Sequence, residues 1–410
     1  MPAVLRYGID RSVEIIPTVE GSLVDCARPQ VQSLPDVATA VAAVLAEPLN
    51  YPPLARGTTA GDRIVLAVEA GVPQAGTIAA ATIDYLARNG VELDGITLLC
   101  APTEGPAPID ELRRGWSAAW KNRVKVLVHD PDDARQLVYL ARDSLGEPVF
   151  LNRAVTDADV VLPIGTLCDD RTAGYFGVHA GLFPTFSSHK ALEPFRVLEA
   201  FRERGKHRSR LLAEVEQVAW LLGIAFTIQV VPGGGERVLH VLAGEPTAVR
   251  DQGRALYRTA WNGNIDSRAA LIVAGIEGGP GQQTWLNFAR ALAAAIPLVE
   301  EGGAIALCCE LNTAPGPALQ SLCDADSPQD TLLRIRKRRF ADLLPAAQLA
   351  RALESNRVFL LSGLDPSLVE QLSMVPLAGA DELMRLVSRH RSCIVLANAP
   401  QTAVQLREES

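Results

Sequence analysis

From residue 62 onward, the chain alternates short runs of β-branched and apolar residues with longer stretches of helical periodicity. Such alternation is typical of parallel strands joined by crossover helices. The runs predict strands at Arg63–Val68, Ile96–Cys100, Val124–Val128 and Val160–Leu162, and helices near Ala75–Arg88 and Pro108–Ala119. The sequence therefore predicts an α/β protein with mostly parallel sheets.

A second α/β unit is predicted in the last third of the chain. Two apolar runs on either side of Pro232–Gly235 indicate an antiparallel hairpin, and a helix near Thr247–Thr259 follows it. The Gly- and Asn-rich stretch after Trp261 is typical of a boundary, and a new buried strand, Ala270–Ala274, begins beyond it. At roughly 150 residues per domain, we expect two domains, 1–262 and 266–397, with the tail 398–410 returning to the first.

Charge and hydropathy exclude several classes of partner. The 39 Lys+Arg and 47 Asp+Glu residues give a net charge of −8, and the short basic stretch Arg334–Arg339 is typical of a solvated helix face, so we expect no nucleic-acid partner. No uncharged apolar run reaches the roughly 18 residues of a membrane span, and the amino terminus lacks a secretory h-region. We expect a cytoplasmic protein that does not bind membranes. Its seven cysteines lack metal-ligand spacing, which indicates reduced thiols.

Ligands of open α/β sheets bind in the loops that follow the carboxyl ends of strands. Glu69 opens one such loop and Glu104 lies in the next. The longest loop, Pro163–Ser188, carries the titratable residues Asp169, Asp170, Arg171 and His179. Side chains of these types suit acid/base chemistry or a hard cation, while a local Asp–Arg pair on a surface loop is the alternative.

Another loop, Gly275–Gly281, connects a predicted strand to a helix near Gln283–Ala295. Its backbone N–H groups are placed to hold an anion, but its glycine spacing is not that of a dinucleotide loop. Gln283, Asn287 and Arg290 recur at helical spacing, so one helix face would present two amides and a guanidinium. A carboxylate ligand suits that face, and an ordinary exposed helix face is the alternative.

Several collinear segments resemble the lactate racemase family, and together they span most of the chain. The resemblance is carried by Asp157–Val161, Ala173–Gly177, Ile224–Val231, Ala243–Glu245 and Glu301–Ile305. It implies two α/β domains with a ligand site in the cleft between them. It also implies a nickel-pincer nucleotide, a cofactor that accepts a hydride from the substrate carbon and returns it to either face.

At the positions that this resemblance makes functional, the chain departs from the family pattern. Ala180 stands where the family has the lysine that tethers the cofactor, and Arg196 where it has a nickel-binding histidine. His189 is the remaining candidate ligand in that region. Glu104 and Asp170 occupy the positions of the two acid/base histidines. Gln283 is retained, and Asn287 and Arg290 replace the family's Gln and Lys.

These residues predict a diverged family member that binds a small 2-hydroxy or related carboxylic acid. Its predicted substrate-binding residues are Glu69, Gln283, Asn287 and Arg290. If it is an enzyme, we expect an isomerase, a racemase or epimerase in which Glu104 and Asp170 transfer protons. The loss of tether and ligand predicts that the nickel-pincer cofactor is not used, and the oligomeric state is left open.

Three alternatives stay open at this point. A working nickel-dependent lactate racemase would restore the altered site with His179, His189 and Lys190. A non-catalytic ligand sensor or scaffold would explain why tether, ligand and both histidines are absent together. A divalent-metal hydrolase would require convergence of the loops that carry Glu69, Glu104, Asp169, Asp170 and His179.

Overall fold

The structure, a computed structural model, describes residues 2–16, 23–26, 29, 31–104, 109–167, 178–197, 205–323 and 327–407. Its strands are β1 Ala3–Tyr7, β2 Arg11–Ile15, β3 Leu23–Cys26, β4 Ile64–Val68, β5 Ile96–Cys100, β6 Lys125–Val128, β7 Leu137–Arg142, β8 Pro148–Asn152, β9 Val160–Thr166, β10 Thr227–Pro232, β11 Val238–Gly244, β12 Asn262–Ile265, β13 Ala269–Gly275, β14 Val299–Cys308, β15 Arg357–Leu361, β16 Val375–Pro376, β17 Cys393–Leu396 and β18 Ala403–Leu406.

The helices lie between these strands. They are α1 Val37–Ala46, α2 Ala75–Arg88, α3 Ile109–Leu112, α4 Ala118–Arg123, α5 Arg153–Thr156, α6 His189–Leu192, α7 Lys206–Leu221, α8 Pro246–Trp261, α9 Trp285–Ala295, α10 Pro317–Gln320, α11 Pro328–Ile335, α12 Leu343–Ser355, α13 Pro366–Gln371 and α14 Ala380–Ser388. In the described ranges, no helix has the length and apolar character that crossing a bilayer requires.

The first sheet has six strands in the order β11-β10-β9-β4-β5-β6. All neighbours are parallel except β10 and β11, which form the predicted hairpin. Every residue of β4 is buried, because α1 and α2 cover one face and a cluster that includes Leu182 and Phe186 covers the other. The prediction of an α/β protein with mostly parallel sheets is confirmed.

One predicted helix of this unit is broken. The stretch Pro108–Ala119 forms the short helices α3 and α4, not one helix. Gly115 adopts a φ of +80°, a left-handed conformation that ends a right-handed helix. A turn closed by a hydrogen bond from Trp116 N to Arg113 O separates the two helices.

The second sheet also has six strands, all parallel, in the order β16-β15-β14-β13-β17-β3. Its edge strand β3 comes from the amino terminus, and the β1–β2 hairpin packs on one face through Leu5, Tyr7 and Ile15. Strands β1, β2 and β3, from the amino-terminal part of the chain, therefore pack with the second unit. At the other end of the chain, β18 pairs in parallel with β12.

Each sheet has a central strand from which the chain winds in both directions. In the first sheet β4 lies between β5 and β9, and in the second β13 lies between β14 and β17. The loops beyond the carboxyl ends of such strands diverge and leave a crevice, which is the usual ligand position in this architecture. The two crevices face each other in this molecule, because residues from both line a single cavity.

Candidate functional site

The cavity between the two sheets has a volume of about 3220 Å³. Its walls are the loops after β4, β5 and β9 on one side and the loops after β13 and β14 on the other. Pockets for small molecules are usually about 300–1,000 Å³, so this space exceeds the needs of a three-carbon acid. The described residues among those predicted for the site either line this cavity or lie outside it.

Glu69 lies at the carboxyl end of β4 and lines the cavity. Its Oε2 accepts a hydrogen bond of 3.1 Å from Thr166 N, at the end of the neighbouring strand β9. A Cβ on Gly165 would approach both Glu69 Oε2 and Gln229 Oε1 to 2.9 Å. Because residue 165 has no side chain, both of these polar groups can lie close to the backbone of β9 at the cavity wall.

Glu104 lines the cavity and binds the start of α9. Its Oε2 accepts a hydrogen bond from Trp285 N at 2.7 Å, and its Oε1 accepts one from Leu286 N at 3.3 Å. A carboxylate at a helix amino terminus also interacts favourably with the helix dipole. Burial nevertheless raises the pKa of Glu104, although the two backbone bonds oppose that shift. This predicted acid/base residue is therefore also a link between the two units.

Gln283 lines the cavity, but it precedes α9 and does not lie on that helix as predicted. Thr284 is the N-cap of α9, so Gln283 belongs to the preceding loop and not to the helix face of Asn287. Its Nε2 donates to the carbonyls of Ile276 and Gly278, and its Oε1 accepts from Glu310 N at 2.7 Å. The side chain therefore braces the loops after β13 and β14.

Asn287 and Arg290 do share a face of α9, as predicted, and both line the cavity. Asn287 Nδ2 donates to the backbone carbonyl of Gln282 at 2.8 Å and to its Oε1 at 3.1 Å. Arg290 Nη1 in turn donates to Asn287 Oδ1 at 3.1 Å. This chain of bonds orients a partly buried guanidinium at the cavity wall.

Two contacts across the cavity were not predicted from the sequence. Gln282 Nε2 donates to Gly71 O at 2.8 Å, which joins the loops after β13 and β4. Arg237, in the hairpin between β10 and β11, forms an ion pair of 2.8 Å with the buried Glu277. Glu277 and Gln282 lie in the loop that follows β13. A position after a strand is the sequence feature that could have indicated them as site residues.

The predicted histidines are not brought to the cavity, since neither lines it. His189 is half-exposed on α6, with Nδ1 4.0 Å from Asp132 Oδ1. His179 is buried, and its Nε2 lies 3.6 Å from Glu216 Oε2, a cavity residue missed from the sequence. Burial lowers the pKa of His179, while Glu216 opposes that shift.

Residues 168–177 lie outside the described residues, so Asp169, Asp170 and Arg171 cannot be placed in the site. The adjoining Ala180 is described: it is buried, and it lines the cavity. Arg196 also lines the cavity and is partly buried. The two residues that stand at the positions of the family's tether and nickel ligand are therefore cavity residues in this molecule.

Residues 10–204 match the family model of the lactate racemase N-terminal domain. The lactate racemase of Lactiplantibacillus plantarum is 22% identical over an alignment of 292 residues, and the match covers 68% of each chain. Residues 10–204 of this chain therefore belong to the lactate racemase family, as its N-terminal domain.

The fold of this family member agrees with that assignment. The lactate racemase apoprotein from Thermoanaerobacterium thermosaccharolyticum matches it over 100% of both chains, with a TM-score of 0.80 at 15% identity. A protein from Thermotoga maritima matches 90% of this chain and 97% of its own, with a TM-score of 0.66 at 13% identity. At these identities the likeness is one of fold.

The donor atoms of the described residues do not fit the nickel-pincer nucleotide that the family resemblance implies. The methyl group of Ala180 cannot form the covalent tether, and the guanidinium of Arg196 is not a metal ligand. His189, the remaining candidate, lies away from the cavity lining. No group of three or more His, Cys, Asp or Glu side chains in the described ranges is placed to hold a metal ion. That finding covers Glu69, Glu104 and His179, the described part of the predicted hydrolase site.

Proposed function

We propose that this family member binds a small 2-hydroxy or related carboxylic acid in the cavity, with Arg290 as the group that receives the carboxylate. The observation that carries the proposal is the bond from Arg290 Nη1 to Asn287 Oδ1, which orients the guanidinium at the cavity wall. A planar guanidinium held in this way matches a carboxylate in a bidentate fork. Asn287 is itself fixed by two bonds, so the fork is organised before the ligand arrives.

Isothermal titration calorimetry with the D and L forms of lactate and 2-hydroxybutyrate tests this binding. We expect Arg290→Gln to weaken binding roughly 10- to 100-fold, because a charge-assisted hydrogen bond contributes about 1.5–3 kcal/mol. Arg88→Gln removes the same charge from an exposed ion pair outside the cavity and is the matched control. Equal affinity in the wild type and the Arg290 variant would contradict the proposal.

For catalysis, we propose proton transfer at the carbon next to the carboxylate. Glu104 lines the cavity, and its raised pKa brings the carboxyl closer to neutrality, where a general base that must also act as an acid works best. In this scheme Glu104 takes the α-proton, Arg290 stabilises the negative charge that develops on the carboxylate, and Asp170 supplies a proton to the other face. The reverse direction exchanges the two roles.

Proton NMR in D2O tests this chemistry, because an abstracted proton exchanges with solvent and a hydride carried by a cofactor does not. We expect deuterium at the α-carbon of both enantiomers of a substrate with the wild type. Glu104→Gln should abolish exchange for the enantiomer whose α-proton Glu104 removes, and Asp170→Asn should abolish it for the other enantiomer. A variant that still exchanges both enantiomers would remove that residue from the mechanism.

A ligand sensor without turnover is the second candidate. It is favoured by the bonds of Glu104 and Gln283, whose polar atoms bind backbone groups of the protein itself. A ligand that binds only the native state must raise the melting temperature. Stabilisation by a hydroxy acid whose α-carbon never exchanges would identify a sensor.

A further inference from the structure

The arginines that line the cavity on the wall formed by the first unit include Arg196 and Arg208. Arg196 ends the 3-10 turn Glu193–Arg196, and Arg208 lies in the first turn of α7. Both are partly buried. Arg208 shares its helix face with Leu212 and Glu216, which recur at intervals of four residues and also line the cavity.

Hydrogen bonds hold the 3-10 turn against α7. His207 Nδ1 lies 3.2 Å from Arg210 Nη2, which can only donate, so Nδ1 accepts and the ring proton is on Nε2. His207 Nε2 then donates to Pro194 O at 2.9 Å. Phe195 packs in one buried cluster with Leu211 and Val215 of α7. These contacts fix the backbone at Arg196 and at Arg208, and the two arginines therefore lie on neighbouring segments.

Among the described carboxylates near Arg196, Glu193 and Glu216 both contact other basic residues. Glu193, in the same turn, pairs with Arg339 at 2.6 Å. Glu216, two turns beyond Arg208, lies 3.6 Å from His179. Arg196 Nη1 is buried, and no described residue accepts a hydrogen bond from it. An unsatisfied cationic donor is costly in a protein, and an anionic ligand in the adjoining cavity would remove that cost.

We infer that Arg196 and Arg208 form a second anion-binding subsite, so that the ligand of this cavity is a small organic dianion. One anionic group binds Arg290, and the second, a carboxylate or a phosphate, binds the arginine pair on the opposite wall. The inference rests on the proposed function for the first of these groups. The cavity volume of about 3220 Å³ leaves room for such a ligand.

The experiment compares dianions with monoanions of equal chain length on the full-length protein. Calorimetric titrations use the dicarboxylates succinate, glutarate, adipate and pimelate, and the matching monocarboxylates butyrate to heptanoate. We expect one dicarboxylate to bind roughly 10- to 100-fold tighter than its monoanion, the contribution of one charge-assisted contact. 3-Phosphonopropionate and inorganic phosphate form a second arm, and tighter binding of the phosphonate than of succinate identifies phosphate as the second group.

Variants separate the two subsites. Arg196→Gln and Arg208→Gln are expected to reduce the affinity for the dianion to that for the monoanion, and to leave the monoanion unaffected. Arg196→Lys keeps the charge and is expected to restore part of the difference, and Arg88→Gln is the charge control. Melting temperatures establish that each variant is folded.

The titrations distinguish a failure of the second subsite from a failure of Arg290 as the first. If dianions bind no tighter than monoanions at any length, or if Arg196→Gln weakens both classes equally, the second subsite is overturned while the role of Arg290 stands. If neither class binds the wild type, both are overturned.

Discussion

At the residue scale, the shape of the site depends on Gly165, which has no side chain. Gly165 lies between Glu69 and Gln229, at the end of the strand that borders β4. Gln229 is buried, and its Nε2 donates to Thr227 Oγ1 at 2.9 Å, so it has little freedom to move away from an added atom. The position of the Glu69 carboxylate is therefore coupled to the absence of a side chain at residue 165.

Gly165→Ala should destabilise the protein by about 1–3 kcal/mol, the usual cost of forcing extra atoms into a packed region. The added Cβ would lie 2.9 Å from both Glu69 Oε2 and Gln229 Oε1, and one of them must shift. Urea denaturation measures the loss. Gly61→Ala is the matched control, because its Cβ would have no neighbour within 4 Å. Equal stability of the two variants would show that the wall yields without cost.

At the scale of elements, helix α7 contacts both a buried apolar cluster and the cavity. Leu211, Val215 and Val218 enter a buried cluster, while Arg208 and Glu216 face the cavity. Glu214, beside the buried face on the side away from the cavity, is itself buried, and its burial raises its pKa from 4.5 to about 7. Repulsion by Asp143 adds to the shift, and Arg210 opposes it.

Glu214→Gln should stabilise the protein at pH 8 and have little effect at pH 4. Because the folded pKa is raised, the native state binds more protons than the unfolded state between pH 4.5 and about 7, and stability falls as the pH rises through that window. The gain at pH 8 is up to about 3 kcal/mol, at 1.36 kcal/mol per pKa unit. Denaturation at several pH values measures it, with the exposed Glu301→Gln as control. A pH-independent effect would contradict the titration of Glu214.

Elements with strong local patterns could be predicted closely from the sequence. The strand β4 and the helix α2 begin and end within one residue of their predicted limits, because their apolar spacing is regular. The sequence places the start of α9 two residues early, since Gln283 has helical spacing with Asn287 and Arg290. Thr284 is a preferred N-cap residue, and its side chain accepts from Asn287 N, which was the signal for the true boundary.

At the scale of the whole molecule, the site is assembled by contacts between residues far apart in the chain. Gln282 is 211 residues from Gly71, and Trp285 is 181 residues from Glu104. Local patterns carry no information about such pairs. The sequence therefore predicted that Glu104, Asn287 and Arg290 belong near the cleft, but not that Glu104 binds the start of α9 or that Arg237 meets Glu277.

Arg237→Gln should destabilise the molecule by about 2–4 kcal/mol, because it leaves the carboxylate of Glu277 buried without its cation. The Glu277 side chain is only 8% exposed, whereas that of Arg237 is 37% exposed. Adding Glu277→Gln to this variant should recover most of the loss, since no buried charge then remains. Denaturation of the single and double variants measures the coupling. Additive losses would mean that the pair does not act as a unit.

The position of β3 has a consequence for how the protein is made. Leu23 pairs with Cys393, so the edge strand of the second sheet leaves the ribosome about 370 residues before its partner exists. At roughly 5–20 residues per second, this delay lasts on the order of 20 to 70 seconds. Throughout that time β3 has no strand to pair with, while the whole first sheet is synthesised behind it. Completion of the second sheet therefore has to wait until β17 has been translated.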